Sequence, residues 1–294
     1  MSTTIKVRAS APTPVNPAQP PVLGPLADLP GTWVGGGFTL ISLPDFDSTP
    51  PSTGPKDFRL KLNATRETLE FKAIGGPVPN RGVLTELGNN TGQPDINLFG
   101  VTYLQQVSDL VTNGALHIEP GIWISVPATT VLPVQGPTVV RMATIPHGDS
   151  LLAQSTFVGT VAGGPVIAAI DSTPTGPGIT PGYLTPFVNP PLPPGILLPW
   201  VKNPNLALSA AIAGQTITET VVLVISTTPT GGIVSIPFVT LNANPIQLDA
   251  IFWIEKVQQP DGSTFMQLQY TQTVILNFLG INWPHISVAT LVKQ

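Results

Sequence analysis

The chain has three histidines and no cysteine, so its imidazole chemistry rests on His117, His147 and His285. His117 stands two positions before Glu119, and on a strand both would share one face, where the carboxylate can orient the ring. The same pair can equally serve as a hydrogen-bonded structural plug inside a small barrel. His147 lies in Pro146-His147-Gly148-Asp149, whose turn chemistry accounts for it without any function. His285 follows Pro284 at the head of a C-terminal stretch backed by Ile286, Val288 and Leu291. A neutral imidazole fixed there is a metal ligand in waiting, or else an ordinary strand residue at the surface. No His-x-His or H-E-x-x-H spacing is present, and Ser150 sits in no G-x-S-x-G elbow, so neither zinc-protease nor serine-hydrolase chemistry finds support.

Composition narrows the field further. The 294 residues carry 10% charged and 42% apolar side chains with a net charge of −4, so Thr, Ser, Asn, Gln and backbone must supply much of the polar surface. The pI near 5.2 and the lack of any basic run exclude the electrostatic footprint of a nucleic-acid binder. Without cysteine there are no disulfides, thiolate metal sites or thiol nucleophiles. No stretch reaches the roughly 18 to 20 apolar residues of a membrane span, and the N-terminus lacks a secretory signal, so a cytoplasmic location is expected.

The elements that must position these residues read as strands. Alternation over 32–41, 97–108, 114–126, 138–145, 151–161, 247–257 and 264–278 gives one apolar face per segment. The pairs 58–63 with 68–74 and 216–226 with 232–241 are further candidate strands, the first pair reading as a hairpin. Glycines at alternate positions in Gly31-Thr32-Trp33-Val34-Gly35-Gly36-Gly37 leave one face bare, so a crossing backbone can approach. Pro120-Gly121 in mid-strand predicts a bulge or an edge. Residues 9–30 hold seven prolines and read as an extended arm. A second proline-dense stretch, residues 172–205, is too apolar for a solvated linker and is expected to pack on the body. In all, roughly ten to twelve strands with hardly any helix predict a barrel or sandwich.

Three segments together resemble the nitrobindin-like heme-binding β-barrels, relatives of the fatty-acid-binding and lipocalin folds. Gly31-Thr32-Trp33-Val34-Gly35-Gly36-Gly37 is similar to their opening G-x-W-x-G-x-G strand. Leu116-His117-Ile118-Glu119-Pro120-Gly121-Ile122-Trp123 is similar to their mid-barrel H-x-E-x-G-aromatic strand. Pro284-His285-Ile286-Ser287-Val288-Ala289-Thr290-Leu291-Val292-Lys293 resembles their terminal P-H-L-x-x-x-L-x-K segment, whose histidine holds the heme iron. The resemblance covers residues 27–160 and 245–294, and the chain is much longer than a nitrobindin.

The resemblance implies an all-β, antiparallel, up-and-down, calycin-like β-barrel of ten or more strands, with a proline-rich arm at 1–26. The barrel domain would span 27–294 with an insertion at 172–205. It further implies heme b on His285, reversible nitric oxide binding and isomerisation of peroxynitrite to nitrate. His117 and Glu119 would sit mid-barrel away from the iron, with Trp33 closing one end and Trp123 lining the core or pocket. The expected partner is a small-molecule or apolar ligand, with a homodimer as the assembly to test. The rival reading is a heme-free carrier of an apolar metabolite with 172–205 as its lid. A third is a structural or interaction protein with a barrel filled by side chains.

Overall fold

The computed structural model describes residues 22–45, 58–80, 96–130, 134–177 and 179–294. Period-two alternation produces strands with one buried face, and eleven of them follow in chain order. They are β1 (Gly31–Pro44), β2 (Phe58–Ala73), β3 (Val78–Asn80), β4 (Ile96–Asp109), β5 (Ala115–Val126), β6 (Thr138–Ile145), β7 (Asp149–Ala162), β8 (Thr216–Ser235), β9 (Asn244–Gln258), β10 (Thr264–Phe278) and β11 (Ile281–Lys293). Each of the ten long strands pairs antiparallel with its sequence neighbour among them, and β11 pairs with β1. The result is a closed ten-stranded up-and-down barrel, with β3 as an extra short strand on β4. Closure removes the unpaired edges that an open sheet would expose.

Closing the barrel bends β1 hard against β11, and the glycine run makes this sterically feasible. A Cβ added at Gly37 would lie 1.9 Å from the Val288 carbonyl oxygen, and one at Gly35 would lie 2.1 Å from that of Thr290. The bare face expected from the sequence is therefore filled by the backbone of β11.

One end of the barrel is filled with apolar side chains, among them Trp33, Leu69, Phe71, Trp123, Phe252 and Leu291. The chain just before β1 caps this end. Leu23, Leu26 and Leu29 are buried there by a 3-10 turn at Gly24–Leu26, with Pro25 in the first turn, where a missing N–H costs nothing. Trp33 Nε1 donates to the Leu29 carbonyl at 2.8 Å, tying cap to wall. An extended conformation was expected for this part of the arm; a tight turn forms because three leucines gain burial by it, each worth about 1.5–3 kcal/mol. Residues 1–21 lie outside the described residues.

The long insertion between β7 and β8 packs against the outer wall of the barrel. Its helices α1 (Pro181–Leu184), α2 (Leu198–Lys202) and α3 (Asn205–Ala211) are short, as its prolines dictate. Tyr183, Phe187, Ile196, Val201 and Leu208 form one cluster with Phe38, Trp253 and Val288 on the outside of β1, β9 and β11, and with Trp283 near the start of β11. Asn205 Nδ2 donates to the Ala168 carbonyl at 2.7 Å, and a bridge joins Thr175 to Asn282. The stretch thus packs on the body as predicted.

Two local expectations are corrected and a third is narrowed. The hairpin over 58–74 is one strand, because Thr65, Glu67 and Leu69 keep the inward alternation through the supposed turn. Residues 232–241 divide between the end of β8 and a fourth helix, α4 (Pro237–Asn242), since Pro237 at its first turn favours helix over strand. No bulge marks Pro120-Gly121, and Pro120 instead holds a locally unpaired edge of β5. Its pairing with β6 begins only at Gly121, so Pro120 removes no ladder bond on that side. Among the described residues, no helix is long and apolar enough to cross a membrane.

Candidate functional site

Opposite the leucine cap, the barrel interior turns polar. The inward face of β5 carries His117, Glu119 and Trp123 in succession, because Gly121 between them has no side chain. A Cβ there would meet the Tyr103 ring at 2.4 Å, so the glycine lets Tyr103 lie across β5 and reach Glu119. Glu119 is completely buried and gathers three partners: the Tyr103 hydroxyl, Arg141 Nη2 at 2.5 Å and His117 Nε2 at 3.2 Å. Arg141, itself buried, donates through Nε to the Tyr103 oxygen at 3.0 Å and through Nη1 to Gln272 Oε1 at 2.7 Å. The rings of Tyr103, Trp123 and Phe252 surround its guanidinium at 5.5 to 5.7 Å.

The electrostatics follow from this packing. Burial raises the Glu119 pKa, but the Arg141 charge and the donors around it win, so the carboxyl stays well below the usual range. Burial likewise pulls Arg141 down, and Glu119 more than restores it. Burial pushes the Tyr103 phenol far up, so it remains a donor. This is a closed ion pair with its hydrogen bonds satisfied.

A second carboxyl, Glu67, has no such cation in contact. It accepts from Thr65 Oγ1 at 2.9 Å, Tyr270 Oη at 2.6 Å and Gln105 Nε2 at 3.2 Å. Burial outweighs these donors and raises its pKa. The two carboxyls are thus shifted in opposite directions for a stated reason: one touches a guanidinium and the other, among the described residues, only neutral donors.

All three histidines converge at this end of the barrel. The His117 and His147 rings are 6.1 Å apart between centroids. His285, at the start of β11, has its pKa lowered to about 4, first by burial and then by the charges of His117 and His147. It is therefore a neutral imidazole at ordinary pH, the form that ligates metals. Its Nε2 lies 3.2 Å from Thr39 Oγ1, which also contacts Ser287 Oγ at 3.1 Å and the Ile286 carbonyl at 3.3 Å. Thr39 thereby braces one ring nitrogen of His285. His147 is solvent-exposed on its turn and also has a lowered pKa, chiefly from desolvation.

Trp33 and Trp123 lie fully buried toward the capped end, away from the histidines. Phe252 joins them inside, whereas Trp253 and Phe278 belong to the outer cluster. Arg141, Tyr103, Glu67, Gln105, Tyr270 and Thr39 did not stand out from the sequence. The available signal for Arg141 and Glu67 was parity. Each is a charge in register with inward apolar neighbours, Val139 and Ala143 in one case, Leu69 and Phe71 in the other.

No protein-family model matches the chain, and no curated protein matches it. Among solved structures, it is similar to the crystal structure of Rv2717c from M. tuberculosis, with 14% identity and a TM-score of 0.43 over 92% of this chain and 99% of that chain. The barrel described above stands on its own strand pairings.

Proposed function

We propose that this chain is a ligand-binding β-barrel that holds heme b at its histidine-lined end through His285, and acts there on small nitrogen-oxide or peroxide species. The observation that carries the reading is His285 itself: a neutral imidazole at a barrel end, with one nitrogen braced by Thr39. His285 is the residue that would hold such a group. Among the described residues, no set of three or more His, Cys, Asp or Glu side chains is placed to hold a metal ion. A lone imidazole suits an iron that brings its own in-plane ligands, as a porphyrin does.

When bound, heme would supply the reactivity toward small oxidants, with isomerisation of peroxynitrite to nitrate as the reaction implied by the resemblance. The protein's own side chains supply the rest. Thr39 orients the His285 ring. The Glu119–Arg141–Tyr103 unit makes a rigid polar floor that fixes His117 through Glu119. The leucine cap closes the far end to water.

Stopped-flow mixing of hemin-loaded protein with peroxynitrite tests the reading. Faster decay with nitrate as product, abolished in His285→Ala, is expected. Decay no faster than with free hemin alone would overturn it.

A further inference from the structure

A separate cleft of about 450 Å³ lies on the outside of the barrel, between the glycine run of β1 and the insertion. That size is within the roughly 300–1,000 Å³ of small-molecule pockets. Its floor is set by strand register. Gly36 pairs with Thr290 of β11 on one side and Arg66 of β2 on the other, forming a Thr290–Gly36–Arg66 row across three strands. The next outward-facing row is apolar, with Phe38 between Val288 and Ala64. The facing wall comes from the insertion, through Ile196, Trp200 and Leu208 together with the small Ala207 and Ala211 of α3.

The polar row offers donors. Thr290 Oγ1 accepts from Gln269 Nε2 at 2.7 Å, so its own O–H is available to point into the cleft. Arg66 is exposed, and its one side-chain partner among the described residues is Asn113 Oδ1 at 3.3 Å. Its cross-strand neighbours Gly36 and Ser108 carry no charge. Gly36, lacking a side chain, leaves the space between the two donors open, and a Cβ there would also come within 2.5 Å of the Thr65 carbonyl oxygen. A guanidinium and a hydroxyl flanking bare backbone suit a carboxylate, while the neighbouring row and the Trp200 wall suit a hydrocarbon body.

We infer that this cleft binds an amphipathic monocarboxylate of medium chain length, its head over Gly36 between Arg66 and Thr290 and its apolar body between Phe38 and Trp200. The site is distinct from the histidine end and does not depend on heme. It gives the insertion a role as one wall of a binding site.

Calorimetric titration of the full chain with decanoate and with decanol tests this. Wild type is expected to bind one decanoate. Arg66→Gln should weaken decanoate at least tenfold, the scale of one charged hydrogen bond, while leaving decanol unchanged. Ala211→Phe, which fills the cleft from an exposed helix position, should abolish both, with thermal melting confirming the fold. His285→Ala should leave decanoate affinity as it was. No binding by wild type, or binding that withstands both cleft substitutions, would overturn the inference.

Discussion

Arg141 and Glu119 meet at 2.5 Å inside the barrel, one from β6 and one from β5, and neither side chain is open to water. Such a pair is costly to break from one side only, since the survivor is a buried, uncompensated charge. Arg141→Met should therefore destabilise the protein by about 3–5 kcal/mol, and adding Glu119→Gln should recover much of the loss. Urea denaturation of wild type and the two variants measures this directly. Equal losses in the single and double variants would show that the charge pair is not what matters.

Glu67 predicts the opposite response. Its folded-state pKa is raised above the ordinary 4.5, so as pH climbs past 4.5 the unfolded chain releases its proton before the native chain does. Stability contributed by this group is full below that value and is lost as pH rises through the folded pKa. Glu67→Gln, neutral and of the same shape, removes that slope. Its stability relative to wild type should rise as pH climbs above 4.5 in parallel denaturation curves.

His285 titrates in another window with its own sign. Its folded pKa of about 4 lies below the ordinary 6.5, so the unfolded chain takes up the proton first as pH falls. Stability should decline between pH 6.5 and pH 4 by up to about 1.4 kcal/mol per unit, and His285→Asn should flatten that decline. Unfolding midpoints at pH 7, 5.5 and 4 for both proteins would reveal it. A variant as acid-sensitive as wild type would place His285 in a wetter setting.

The glycine run makes a steric prediction. Gly37→Val would put a branched side chain where even a Cβ lies 1.9 Å from backbone, so β1 would have to separate from β11. Loss of several kcal/mol, or failure to fold, is expected. Gly75 faces open space, and Gly75→Ala should melt within a degree or two of wild type.

Much of the barrel was legible from alternation alone: residues 138–145 and 264–278 coincide with β6 and β10. The turn over 64–67 misled because local composition breaks there, although the inward row of Thr65, Glu67 and Leu69 continues. The fate of 172–205 followed from its apolar content, but which wall it would cover depended on the outward faces of β9, β11 and β1, which only the closed register defines. His117 beside Glu119 was readable at spacing two. Arg141 was not, since its partner lies 22 positions away and one arginine in a strand is usually solvated. The meeting of three histidines was equally hidden, being a property of strand direction in the barrel.

The measurement that bears most directly on the proposed function is an equilibrium hemin titration of wild type and of single alanine variants at His285, His117 and His147, followed through the Soret band. Wild type, His117→Ala and His147→Ala should each saturate at one hemin per chain with the same band, while His285→Ala should shift the band or lose it. A wild-type protein that leaves hemin unbound, or a His285→Ala spectrum identical to wild type, would contradict the assignment.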